Sequence, residues 1–244
     1  MSEPEAGSDL AALTTSAVRR RDRWVINGQK IWTSLAAVSD FCYLICRTAS
    51  DGPKHEGISE IIVPMDSPGI DVRPILDLTG RRHFCEVFFE DVEVPIQNLV
   101  GEEGGAFRQT MRQLEHERGG IDRLFSNRRL FDRAVSAADH DDPNVRQRIS
   151  WIESRYRIGR ILVMREALRQ APAGFSAATK CFCTELEQAV ADFAAAVFGP
   201  VGVLADDLGR AIAYAPAYTI MGGTSLVMRN VLGERQLGLP REPR

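Results

Sequence analysis

Residues 85–120 read "CEVFFEDVEVPIQNLVGEEGGAFRQTMRQLEHERGG", and the pattern changes character in the middle of that stretch. "CEVFFEDVEVP" (85–95) has the β-branched and aromatic residues of a strand, interleaved with acids and closed by a proline. The glycines of "GEEGGAF" (101–107) then interrupt the chain. From Phe107 the pattern is helical, broken only by the pair Gly119-Gly120. A boundary near residue 100 follows, with a β-module over 1–100 and a helical module over 101–244.

Upstream, "FCYLICRT", "GISEIIVPM" and "GIDVRPI" are further short strands, each bounded by Gly, Pro, Asp or Ser. In "RWVINGQKIW" (23–32), Asn27-Gly28 stands between two β-prone runs and predicts a hairpin turn. Five or six strands at this spacing suggest a compact barrel or sandwich. The Arg19–Arg23 cluster reads as a solvated hairpin face. Downstream, Asp142 is placed to cap a helix with Pro143 at its first position, and Val145, Ile149, Ile152 and Tyr156 keep one side of it apolar. A third helix, "AATKCFCTELEQAVADFAAAVFG", ends at Gly199-Pro200, and a fourth begins at Thr224. The fold class expected is α+β: a small β-barrel or sandwich domain (1–100) followed by a C-terminal four-helix bundle (101–244).

Composition narrows the function. The chain has 244 residues, 44% of them apolar, and a net charge of −3, so neither nucleic acid nor an anionic membrane surface is an expected partner. No apolar run reaches the length of a membrane span. The five cysteines form no CxxC pair and the four histidines show no ligand spacing. Reduced thiols in a cytoplasmic protein are expected, and no metal. Only Lys30, Lys54 and Lys180 are lysines; the other cations are arginines.

One stretch invites a ligand. In "IMGGTSLVMRN" (220–230), Gly222 and Gly223 allow backbone to approach a planar or phosphorylated molecule, and Thr224 and Ser225 bring hydroxyls to the start of a helix. An ordinary interhelical corner capped by Thr224 explains the same residues.

The opening "MSEPEAGSDLAAL" resembles the flavin-binding signature of acyl-CoA dehydrogenases. "INGQKIWTS", "PGIDV", "VFFEDVEVP", "GEEGGAF", "MGGTSLVMRN" and "ERQLGLP" resemble that family's other motifs, in its order and near its spacings. The resemblance implies FAD as cofactor and oxidation of the α,β-carbon bond of an acyl-CoA thioester to the trans-2-enoyl-CoA. It further implies an N-terminal helical domain that is missing here, so a fragment or a misplaced start is expected. Ser2, Gly7 and Ser8 match positions around the flavin edge and phosphates, and Trp32, Thr33 and Ser34 match the segment against the isoalloxazine ring. Thr224 and Ser225 match the C-terminal flavin contacts. Ser8, Leu114, Arg118 and Gly223 match substrate positions.

Many members carry the catalytic glutamate where this chain has Gly222. Others carry it on an earlier helix directly before an arginine, and "QLEHERGG" supplies that pair as Glu117-Arg118. Glu117 is therefore the candidate base, because the α-proton must leave as the β-hydrogen departs with its electron pair. The family's Arg-x-x-Phe-Gly motif is absent from "SAADHDDPNVRQR", Leu226 stands where Gln or Glu is usual, and Pro200 replaces a glycine. The resemblance to actinobacterial relatives that act on steroid side chains as heterotetramers implies an oligomer, homomeric or heteromeric, of dehydrogenase-like subunits. Electron-transfer flavoprotein is the implied electron acceptor. A non-catalytic partner subunit and a related flavin oxidase or monooxygenase are the alternative readings.

Overall fold

A computed structural model describes residues 1–118, 122–172, 174–203 and 207–241; the side chains of 115–118 and 203 lie outside the description. The chain forms two compact units, Met1–Arg112 and Gln113–Arg244.

The first unit is one mixed seven-stranded sheet, β1 (Ser16–Arg20), β2 (Arg23–Ser34), β3 (Phe41–Arg47), β4 (Ile58–Pro64), β5 (Ile70–Ile75), β6 (Phe84–Pro95) and β7 (Leu99–Val100). Its order is β5-β6-β2-β1-β3-β4-β7. Every pairing is antiparallel except that of β1 with β3, which is parallel. Alternation places Trp24, Ile26, Leu44, Ile61, Val63, Cys85, Val87 and Phe89 in one buried cluster. Leu10, Leu13, Ile45, Ile58 and Ala106 form a second cluster.

Asn27-Gly28 is not a hairpin turn. The strands β1 and β2 turn instead at Arg21-Asp22, where Arg20 pairs with Arg23 and Arg21 takes φ 56°. β2 runs straight through Asn27, and the irregularity there is a β-bulge: the register steps from Ile26↔Val92 to Gly28↔Phe89, so Glu90 and Asp91 oppose Asn27 alone. The Asn27 amide fills the gap, donating from Nδ2 to Asp91 Oδ1 at 3.0 Å and accepting from Asp91 N at 2.9 Å. Glycine follows because Gly28 has φ 147° and a Cβ there would stand 2.6 Å from Thr15 Cα. The local dipeptide signal lost to a partner strand far away in sequence.

The second unit contains α2 (Asp122–Phe125), α3 (Arg128–Ala137), α4 (Pro143–Ala167), α5 (Ser176–Phe198), α6 (Asp207–Tyr218) and α7 (Ser225–Val231); α1 (Ala106–Arg118) enters it from the first unit. Asp142 caps α4 by accepting from Asn144 N, with Pro143 in the first turn, and Ile152 and Tyr156 are buried. The central helix is α5, apolar around most of its circumference, and it packs against α2, α3, α4, α6 and α7. It ends at Gly199, φ 53°. The first helix expected from sequence is divided into α1, α2 and α3, and α6, which carries Pro216 in its last turn, is an addition to the four expected.

Glu187 of α5 lies fully buried in this unit and accepts from Asn127 N. Burial raises its carboxyl to about 8, with the Asn127 bond opposing. The folded chain thus keeps a proton that the unfolded chain, titrating near 4.5, releases. Its contribution to stability is complete below that lower value and is lost as pH rises through about 8. Denaturant titrations from about pH 5 to about pH 9 should show a falling midpoint, and Glu187→Gln should remove most of that slope. An unchanged slope in the variant would assign the titration to another group.

Candidate functional site

In the first unit the N-terminal segment folds back at Glu3–Ala6, whose backbone groups exchange two bonds of 3.1 Å. It lies along β2: Ile31 N donates to Ser2 O at 2.9 Å, which brings Ser2 beside the Trp32 segment. Gly7 and Ser8 are exposed, and a Cβ at Gly7 would touch nothing within 4 Å.

Trp32 owes its placement to a second bulge. Pairing steps from Lys30↔Val87 to Thr33↔Cys85, so Ile31 and Trp32 oppose Glu86 alone. Trp32 takes φ 60°, a left-handed conformation that a bulky residue adopts only when its surroundings impose it. The bulge turns the indole outward, 56% exposed, edge-on to Phe84 at 5.9 Å. Thr33 Oγ1 beside it is inaccessible to solvent and has no hydrogen-bond partner among the described residues. Ser34 is exposed.

In the second unit Gly222 and Gly223 join α6 to α7 with φ 67° and 90°. Thr224 caps α7, its Oγ1 accepting from Val227 N at 3.1 Å. Ser225 is buried; its N donates to Thr219 O at 2.9 Å, while its Oγ has no partner among the described residues. A Cβ at Gly222 would meet Arg123 Nη2 at 3.2 Å. Leu114 is half-buried on α1. Glu117 and Arg118 occupy the last turn of α1, and their side chains lie outside the described residues.

Two residues that sequence reasoning passed over hold the first of these places together. Lys30 is 1% exposed, and its Nζ donates to Glu3 Oε1 at 2.7 Å and to Met1 O at 3.2 Å. Glu3 also accepts from Thr14 N at 2.6 Å, Thr14 Oγ1 at 2.9 Å and Thr15 N at 2.9 Å. Burial by itself would raise the Glu3 carboxyl, but these donors, Lys30 foremost, hold it down to about 2. The available signal was one of only three lysines in an arginine-rich chain, placed on a strand.

Among the described residues, no group of His, Cys, Asp or Glu could hold a metal ion, and no helix is long and apolar enough to cross a membrane. The cysteines are free thiols.

The family model for "Acyl-CoA dehydrogenase, middle domain" matches residues 1–92, and that for "Acyl-CoA dehydrogenase, C-terminal domain" matches residues 104–237. Acyl-CoA dehydrogenase IpdE1 of Mycobacterium tuberculosis is 36% identical over 99% of this chain and 66% of its own length. FadE29 of the same organism is 35% identical over 99% of this chain and 67% of its own length. Among solved structures, the Tcur3481-Tcur3483 steroid ACAD superposes with TM-score 0.88 at 32% identity, covering 99% of this chain and 67% of its own. The ChsE4-ChsE5 complex from Mycobacterium tuberculosis gives 0.85 at 31%, covering 99% and 68%. The chain therefore spans about two thirds of the length of these relatives. With both domain models matched in order and a mixed sheet preceding the helices, the chain belongs to the acyl-CoA dehydrogenase family.

Proposed function

We propose that the subunit containing this chain carries out FAD-dependent α,β-dehydrogenation of an acyl-CoA thioester. The observation that carries the reading is that Thr33 Oγ1 and Ser225 Oγ, two of the three buried hydroxyls without a partner among the described residues, stand at positions the family resemblance gives to the flavin. A buried hydroxyl without a partner is costly and rare, and a polar ligand would satisfy it. The outward-turned Trp32 supports the same reading: the bulge presents a large aromatic ring, 56% exposed, that would serve as a wall for a flat ligand ring.

FAD, when bound, supplies the acceptor for the hydride. The chain's own residues do the rest. Within the first unit Ser2, Gly7 and Ser8 would contact the flavin edge and phosphates and Trp32, Thr33 and Ser34 its ring; Thr224 and Ser225 of the second unit would supply C-terminal flavin contacts. Ser8, Leu114, Arg118 and Gly223 take the acyl-CoA. Glu117 removes the α-proton; the electron pair of that C–H bond forms the new double bond as the β-hydrogen leaves as hydride. Electron-transfer flavoprotein, which the name of one solved structural neighbour carries, is the proposed electron acceptor. The cytoplasm is the proposed compartment. Assembly with a second dehydrogenase-like subunit is proposed because two similar solved structures are named for two components each. Co-expression should then yield a mixed oligomer with fuller flavin content than either subunit alone.

Anaerobic titration of the full-length, flavin-loaded subunit with straight, branched and steroidal acyl-CoAs tests the activity. At least one thioester should bleach the oxidised flavin within turnover time. Bleaching by none, with or without the partner subunit, would discard the reading.

A further inference from the structure

Resting on the flavin reading above, we propose that Lys30 is a positioning residue, clamping the N-terminal segment against the bulged part of β2 so that Ser2 and Trp32–Ser34 form one preorganised flavin wall. The ammonium stands next to that bulge in sequence and is almost wholly buried. Its two bonds, to Met1 O and Glu3 Oε1, fall on either side of Ser2. Ser2 O in turn accepts from Ile31 N, the first residue of the bulge. Glu3 is itself fixed by three donors from Thr14 and Thr15. A single buried cation thus ties the segment that carries Ser2 to the strand that carries Trp32.

One backbone bond, Ile31 N to Ser2 O, ties the segment to the strand, and the Lys30 bonds to Met1 O and Glu3 Oε1 fix it on either side of that point. Holding the wall in place before the ligand arrives removes an ordering cost from binding. Burial inside the protein, away from solvent salt, also keeps the clamp effective at ordinary ionic strength.

The test compares FAD affinity of the full-length apoprotein with that of Glu3→Gln/Lys30→Met, which removes both charges and leaves no buried ion unpaired. FAD titration followed by quenching of tryptophan emission gives Kd, and circular dichroism confirms the fold. The double variant should fold and bind FAD about tenfold more weakly for each residue that must be re-ordered. Exchange protection of the Ile31 N–H should fall in parallel. Thr14→Val, which keeps both charges and removes one bond to Glu3, should weaken FAD in the same direction by less. A folded double variant with Kd within about twofold of the parent and an equally protected Ile31 N–H would overturn the clamp. A parental subunit that takes up no FAD at all would instead overturn the flavin reading on which the clamp rests.

Discussion

Glu117→Gln is expected to lower turnover by about 10²–10⁴-fold, the usual cost of removing a general base, while flavin content and thermal midpoint stay near the parent's. The amide is close to the carboxylate in size but cannot accept the α-proton. Stopped-flow reduction of the flavin by substrate isolates that step from later electron transfer. Parental reduction rates in the flavin-loaded variant would remove Glu117 from the role. Moving the carboxylate to the position used by many relatives should not repair the loss. Gly222 has φ 67°, so a glutamate there is strained, and Arg123 Nη2 would stand 3.2 Å from its Cβ. An adjacent guanidinium favours the ionised carboxylate and makes it a weaker base. Glu117→Gln/Gly222→Glu is therefore expected to remain as slow as the single variant.

Breaking half of the buried pair in the first unit carries the second large effect. Glu3→Gln leaves the Lys30 ammonium inside the protein without its counter-charge, and such removals cost about 3–5 kcal/mol. Lys30→Met should cost a comparable amount by stranding the carboxylate, while the double variant should recover much of the loss. Equilibrium denaturation of the full-length subunit measures all three. A single variant costing less than about 1 kcal/mol would place the pair with ordinary surface bridges. The pH dependence has a definite sign. Because the folded carboxyl sits near 2 and its ordinary value is 4.5, the pair's stabilisation is complete above 4.5 and is lost as pH falls through about 2.

Much of the architecture was legible because its signals are local. The change from strand to helix pattern, the Asp142-Pro143 helix start and the Gly199 stop are each contained within a few residues, and each stands in the structure as read. Asn27-Gly28 misled because the decisive partner, Asp91, is remote in sequence; bulges are settled by pairing register, which no dipeptide encodes. Helix α6 has no comparably clear local signal, since Pro216 in its last turn is a residue that ordinarily breaks a helix. The same divide runs through the candidate site. Trp32, Thr33, Thr224 and Ser225 could be named from motifs. The Glu3–Lys30 contact joins a terminal segment to a strand, and no periodicity announces it. Nor could the sequence say that the Trp32 ring faces outward, since that follows from one extra residue in a ladder.

The Asn27 bulge also bears on how the protein ages. An asparagine followed by glycine loses its amide readily when the next backbone nitrogen can swing onto the side-chain carbonyl. Here that carbonyl accepts from Asp91 N and the amide donates to Asp91 Oδ1, so both ends of the side chain are held across the strand. Gly28 is fixed in the ladder opposite Phe89 and closed in by Thr15. The native sheet therefore shields a chemically fragile dipeptide, and an isoaspartate at position 27 would be a durable mark left on molecules whose β2–β6 pairing had once come apart.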